Sequence, residues 1–427
     1  MTKRLLMSDT PPFAPPEVTD DDICWASNLL NLPKDAFHGK DGSDPRQAVL
    51  KSLEEMDVAA CPGSGKTTLL VAKLAILAEK WRDNTRGLCV LSHTNAARKE
   101  IETKLGNTTA GRRLLSYPHF IGTIHGFVNE FLAIPLLRSR GYQIKMIDTD
   151  LSQKRRWLAL PPNTRAGLET NGYGPPILSV KSPDFGIGPV CWGKKRTPLR
   201  SDTDTYKKIR DVCRQSSMDG YFCYDEMFVW AGDLMDKVPG VVEVLRNRFP
   251  LLFIDEAQDN TEDQSAILHR IFLGGGGTVI RQRFGDANQA IFNFVGYKGA
   301  ESDFPDDRIK TIDLPTSHRF GQTIADLADP LALVPHSLKA GDGMSTQAGE
   351  FRAGAVLAQM LGHGFGARTH MELFVDVHQV CPHGGETDVY PGADLLVGKT
   401  FGQQGKNFRF ASGELAGFVQ CHGRFNE

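Results

Sequence analysis

Short apolar runs alternate with helical patterns along the first third of the chain. "MDVAAC", Met56 to Cys61, and "RGLCVLS", Arg86 to Ser92, read as buried strands. Between them, "TTLLVAKLAILAEKW", Thr67 to Trp81, sets apolar residues at helical spacing. This alternation predicts a parallel α/β layer. Residues 133–245 change period, carry more basic clusters and predict a mostly helical insertion. Residues 246–335 return to strand–helix alternation, with "LLFI", Leu251 to Ile254, as a further strand. Beyond residue 336 glycine becomes frequent, and "GHGFGAR", "CPHGGE" and "GQQGKN" show no clear period. The start is Pro-rich and predicts a loose arm over 1–44.

Composition narrows the class without naming it. The 427 residues are 41% hydrophobic and 23% charged, an ordinary globular balance for two or three domains. The net charge of −2 gives no global basic field, so any contact with nucleic acid must come from local patches. Eight scattered cysteines without a CxxC pair suit a reducing compartment. No apolar run approaches the ~18 residues of a membrane span, and the start lacks the apolar core of a signal peptide. The expectation is a soluble, cytoplasmic protein with no membrane partner.

The first chemical motif is "ACPGSGKTT", Ala60 to Thr68. It sits between a strand pattern and a helix pattern, the context of a phosphate-binding loop. Gly63 and Gly65 let the backbone around Ser64 turn its N–H groups toward phosphate oxygens, and the following helix adds its positive end. Lys66 is expected at the β- and γ-phosphates, the Thr67 hydroxyl on Mg²⁺, and Thr68 beside them. A second match to the same pattern, "ADLLVGKT" at Ala393 to Thr400, has no interior glycine and no helix after it, and is not expected to bind phosphate.

"LLFIDEAQDN", Leu251 to Asn260, drives a buried strand straight into carboxylates. Burial disfavours charge, so the strand end must face something that needs it. Beside a phosphate loop, Asp255 is expected to hold Mg²⁺ and Glu256 to orient or deprotonate the attacking water.

At this point the chain resembles superfamily 1 helicases of the UvrD/Rep type. "DEAQD" looks like their signature. Arg46-Gln47-Ala48-Val49 resembles their adenine-reading Q motif, and "SHTNAARKEI", Ser92 to Ile101, their TFTNKAA motif. "GTIHGF", Gly122 to Phe127, is similar to GTFHS, "FGDANQAIFNF", Phe284 to Phe294, to GDxxQSIY, and "LPTSHRF", Leu314 to Phe320, to LxxNYRS. The resemblance covers residues 45 to about 330 and implies a RecA-like parallel sheet flanked by helices. The implied organisation is an arm at 1–44, a core at 45–132 and 246–335, the insertion at 133–245, and a short divergent region at 336–427. It implies an ATP hydrolase using ATP and Mg²⁺, with single-stranded or tailed DNA as partner. Gln47 would read adenine. Gln258 and Gln289 would sense the γ-phosphate and couple it to DNA, and Arg319 would stabilise the charge of phosphoryl transfer. His93, Thr94, Asn95 and His125 would line the DNA path.

Departures accompany the resemblance. His93 stands where the family commonly has a stacking aromatic, and Val295 where it usually has arginine. "VDVHQVCPHGGETD", Val375 to Asp388, is a stretched echo of the family's histidine-glycine-glutamate motif, and nothing resembles its final arginine motif. His378, Cys381, His383, Cys421 and His422 lack the paired spacing of a zinc site. Two basic–aromatic clusters, "KRRW" at Lys154 to Trp157 and "CWGKKRTPLR" at Cys191 to Arg200, suit either single-stranded DNA or a solvated face. "FIGTIHGFVNEFLAIPLL", Phe120 to Leu137, is similar to the UvrD-like GajB subunit of Gabija antiphage systems, which implies an OLD-family nuclease as a further partner. On that alternative the chain is a regulatory ATPase that unwinds little duplex on its own.

Overall fold

The structure, a computed structural model, describes residues 13–39, 44–192, 197–273, 279–289, 304–306, 308–332, 334 and 337–341. Its centre is a six-stranded parallel sheet. The strands are β1 (Met56–Ala60), β2 (Leu88–Ser92), β3 (Phe120–Thr123), β4 (Leu251–Asp255), β5 (Ile280–Gly285) and β6 (Thr311–Leu314), in the order β6-β1-β5-β4-β2-β3. β1, β2 and β4 match the expected strands, and the sheet is the expected α/β core. Every residue of β1, β2 and β4 is buried, because helices cover both faces.

Side-chain alternation sends successive residues to opposite cores. Leu88, Val90, Leu251 and Phe253 join one core with α1 (Asp20–Leu29), α2 (Pro45–Lys51) and α3 (Lys66–Lys80). Cys89, Leu91, Leu252 and Ile254 join the other, which runs on into residues 133–245. Two points differ from the sequence reading. Within the expected arm, α1 is a core element: Val18, Ile23 and Ala26 are buried in the first core. A capping box at Thr19 and Asp22 starts it, and Lys80 of α3 bonds to Asp22. The apolar pattern there was too short and too close to the prolines to stand out.

On the β2–β3 side, α4 (Ala96–Leu105), α5 (Thr109–Leu114), α6 (Ile124–Val128) and α7 (Ile134–Ser139) lead into the insertion. The insertion is helical as expected, with α8 (Thr149–Ala159), α9 (Pro162–Thr170), α10 (Asp204–Met218), α11 (Glu226–Lys237) and α12 (Gly240–Arg248). Helix α13 (Glu262–Phe272) follows β4, and α14 (Gln322–Ala328) follows β6.

The second difference concerns "KRRW". Arg156 points inward from α8, is fully buried, and pairs with fully buried Glu226. Glu226 also accepts the backbone N–H groups of Val180 at 2.7 Å and Cys223 at 2.9 Å. Trp157 packs against the core. Half of that cluster therefore holds the insertion together, because a buried guanidinium needs a fully bonded carboxylate. The metal candidates His378, Cys381, His383, Cys421 and His422, with Val295 and "ADLLVGKT", lie outside the described residues. Among the described residues no group of three His, Cys, Asp or Glu could hold a metal ion, and no helix is long and apolar enough to cross a membrane.

Two outcomes follow from this packing. Glu226→Ala strips Arg156 of its partner and should cost about 3–5 kcal/mol, read by chemical denaturation. Burial pushes His119 down to about 4, and its Nδ1 accepts the Leu88 N–H at 3.0 Å. Its folded pKa thus lies below the unfolded value, so the unfolded chain takes the proton first. Stability from this group is complete above pH 6.5 and is lost as pH falls toward 4. His119→Asn keeps an acceptor but cannot titrate, and should flatten the stability profile over that range.

Candidate functional site

The register of the sheet brings the motif ends to one edge. Ser92 lies opposite both Asp255 and Thr123, Asp255 opposite Phe284, Ala59 opposite Gly285, and Ala60 opposite Leu314. The carboxyl ends of these parallel strands therefore open onto one crevice, the usual ligand edge of an open α/β sheet.

The loop after β1 turns into α3 through two left-handed glycines, Gly63 at φ +78° and Gly65 at φ +80°. A Cβ on Gly63 would stand 2.6 Å from Arg319 Cβ and 2.7 Å from Ser317 Oγ, so glycine is required twice over. Over Gly65 there is open space. The segment after β6 clamps this loop: Ser317 Oγ donates to Pro62 O at 2.8 Å and the His318 N–H to Gly63 O at 2.8 Å. Cys61 packs against Phe320 and Ile324 beneath it. Arg319 is thereby fixed against the loop, and its guanidinium has no hydrogen-bond or ion-pair partner among the described residues.

Lys66 opens α3 and meets both strand-end carboxylates. Its Nζ bonds to Glu256 and lies 4.0 Å from Asp255. Burial works against the Lys66 charge, but Asp255 and Glu256 outweigh it and raise its pKa. Burial pushes Asp255 up to about 6 against the pull of Lys66. Burial also opposes ionisation of Glu256, but Lys66 and Gln258 bring its pKa down. Glu256 sits at φ +52°, a left-handed conformation costly for a residue with a side chain. The kink comes where β4 ends, and it puts the two carboxylates on one lysine.

Gln258 ties this group to β5. Its Nε2 donates to Glu256 at 2.9 Å, and its Oε1 accepts the Asp286 N–H at 3.0 Å. A Cβ on Gly285 would press 2.5 Å from that Oε1. Asp286, buried, adds to the field that holds Lys66 charged. Gly285 and Asp286 went unassigned by the sequence reading, although the "GD" they form was within the quoted element. Gln289 closes the short turn after Asp286, its N–H donating to Asp286 O at 3.0 Å. Ala290 onward lies outside the described residues.

The remaining predicted residues fall into two groups. Ser64 is buried with a hydroxyl that has no partner, Thr67 is half-buried, and Thr68 Oγ1 accepts from Lys104 at 2.9 Å. Gln47, on α2, commits its amide to Asp20 at 2.6 Å. Past β2, Thr94 and Asn95 are exposed and His93 is half-buried. His125 stands edge-on to Phe228 at 4.8 Å and Tyr224 at 5.9 Å, with Gln264 3.5 Å from its Nδ1. Burial lowers both histidines, and the His93 charge lowers His125 further, so the two are neighbours. The sequence reading brought His93 and His125 to one path but had no signal for Tyr224 and Phe228 beside them.

Known proteins resemble this chain over the same region. The model of the UvrD/REP helicase N-terminal domain matches residues 42–304. DNA helicase II of Salmonella typhimurium is 25% identical over 306 residues, 67% of this chain and 39% of that protein. ATP-dependent DNA helicase PcrA of Leuconostoc citreum is 24% identical over 331 residues, 72% of this chain and 41% of its own length. ATP-dependent DNA helicase UvrD1 of Mycobacterium leprae is 23% identical over 313 residues, 68% of this chain and 39% of that protein. The chain thus spans about two fifths of the length of the curated relatives it matches. The family match includes the phosphate-type loop, the Asp255-Glu256 strand end and the Gly285-Asp286 turn, and the chain belongs to the UvrD/REP helicase N-terminal domain family.

Proposed function

We propose that this chain hydrolyses ATP with Mg²⁺ at the Lys66 crevice, under the influence of single-stranded DNA on the neighbouring face. One observation carries this: Lys66, Asp255, Glu256 and Arg319 meet around a loop whose glycines and unpartnered Ser64 hydroxyl leave room for phosphate. The relatives' names, DNA helicase II and ATP-dependent DNA helicase, agree with that chemistry.

The steps assigned to this chain's residues are these. The loop N–H groups and Ser64 bind phosphate oxygens, and the Lys66 ammonium transfers from Glu256 to the β- and γ-phosphates. Glu256, relieved of that partner and already ionised, accepts the proton of the attacking water. Arg319, held against Gly63, offsets the charge developing on the transferred phosphoryl group. Thr67 and Asp255 would hold Mg²⁺, which would draw charge off the phosphates. Gln258 bridges Glu256 to the Asp286 turn, so it reports γ-phosphate occupancy to Gln289. His93, Thr94, Asn95 and His125 are the DNA face. They begin one residue beyond Ser92, which pairs with Asp255, so strand shifts at either site reach the other.

The alternative of a regulatory subunit with a nuclease partner draws no support from its own residues. In "FIGTIHGFVNEFLAIPLL" the residues Ile121, Ile124, Phe127, Val128, Leu132, Ala133 and Leu137 are buried in the two cores. Those residues serve packing and do not identify a partner, and the half-buried His125 of the same stretch belongs to the proposed DNA face.

Steady-state phosphate release, with and without single-stranded DNA, is the deciding measurement. Lys66→Ala should abolish turnover. Glu256→Gln should retain ATP binding and lose about 10²–10⁴-fold in rate. A Glu256→Gln protein turning over at the native rate would overturn the assignment. Arg319→Ala should lower kcat by about 10³-fold or more with nucleotide affinity little changed. If Arg319→Ala weakens binding and leaves kcat intact, the arginine holds ground-state phosphate instead.

A further inference from the structure

The outward half of "KRRW" has no part in the chemistry above. Arg156 fixes the rotation of α8 by pointing into the core. Its neighbours Lys154 and Arg155 are then exposed, because successive helical residues point about 100° apart. The Arg155 guanidinium lies 3.9 Å from the ring centre of Tyr221, and Lys145 Nζ lies 5.9 Å from the same ring. A tight turn builds this contact. Gly220 has φ +92°, and a Cβ there would come within 2.5 Å of Gln143 O and 3.0 Å of Lys145 Cγ. The 143–146 segment therefore crosses directly over Gly220, where the Lys145 and Met146 N–H groups both donate to Gly220 O. None of Lys145, Lys154 and Arg155 has an ion-pair partner among the described residues, although elsewhere on the insertion Lys208, Lys237 and Arg200 are paired with aspartates.

We infer that Lys145 and Arg155 form a phosphate clamp for a nucleic-acid backbone, with Tyr221 as its support. The ring holds the two cations, and a guanidinium at 3.9 Å occupies one of its faces. Such support reduces the side-chain freedom lost on binding. Two unpaired cations gathered on one ring suit phosphate contact, which positions a strand without reading sequence. Location agrees. Tyr224, which stands edge-on to His125, follows Tyr221 by three residues, so the backbones of the two tyrosines lie within about 11 Å of each other. The inference rests on that DNA face for its register, and it extends the bound strand onto the insertion.

The test compares salt dependence of binding for the full chain and its Lys145→Ala/Arg155→Ala variant on a single strand, a blunt duplex and a tailed duplex. Two lost phosphate contacts should lower the slope of log K against log salt by about 1.4 on single strands or about 1.8 on duplex. Affinity should fall about tenfold or more near 0.1 M salt. The substrate showing the change identifies which backbone the clamp holds. Lys310→Ala, before β6 at the opposite edge of the sheet, removes a positive charge and an exposed pair with Glu54 far from the clamp and should leave the slope unchanged. An unaltered melting temperature of the double variant shows that the fold is intact. A native slope in the double variant with DNA binding present would overturn the clamp and spare the proposed function. Failure of the unaltered protein to bind any of the three DNAs would overturn both. Loss of binding to anionic lipid vesicles with DNA binding unchanged would reassign the patch to a membrane surface and also overturn it.

Discussion

A buried lysine ammonium survives at the end of a parallel sheet only beside negative charge, and the site is organised around that constraint. Lys66 is held charged by Asp255 and Glu256, with Asp286 behind them. Asp255 and Glu256 come from the end of β4 and Asp286 from the end of β5, and the register of these strands with β1 brings them to Lys66. The arrangement is costly without its partner set: burial pushes Asp255 up to about 6 even with the lysine present. Glu256 adds a left-handed backbone to that cost. Strain of this kind persists only where surrounding structure over-determines it, and here the Gln258 bridge and the Gly285 approach do so. On the proposed function the polyanion that relieves Lys66 of its carboxylates would also be the substrate, so binding and activation of Glu256 would be one event.

The same loop is fixed from its far side. Gly63 cannot carry a side chain because Arg319 and Ser317 stand against it, and two hydrogen bonds from the 316–318 segment hold the loop backbone. Arg319 is thus part of the geometry of the phosphate loop as well as a charge beside it. A displacement of the segment after β6 must move both together.

The sheet and the strand-end motifs were legible because their signals are local. Short, mostly apolar runs mark β1, β2 and β4, and the glycines after β1 and the carboxylates at the end of β4 give two of them a local chemical signal as well. What stayed hidden depends on partners distant in sequence. "KRRW" cannot reveal that Arg156 meets Glu226 across 70 residues and that Arg155 does not. Likewise, α1 offered too few apolar residues beside its prolines to declare itself core, and β5 reads as polar because Arg283 is neutralised by Asp57 on β1 rather than by solvent. Tyr224 and Phe228 joined His125 only through the packing of α11 on α6.

The insertion then has two distinct electrostatic regimes. Inside, Arg156 is neutralised by a carboxylate that accepts from four donors, and its charge has no outward reach. Outside, on the same turn of helix, Lys154 and Arg155 are exposed and have no ion-pair partner among the described residues. A chain with net charge −2 has no long-range pull on DNA as a whole, so any attraction for DNA has to come from patches of this kind. The buried pair is what lets the patch exist: by fixing the rotation of α8 it turns Arg155 outward onto Tyr221. Core packing of the insertion and its surface charge are therefore two consequences of one residue's orientation.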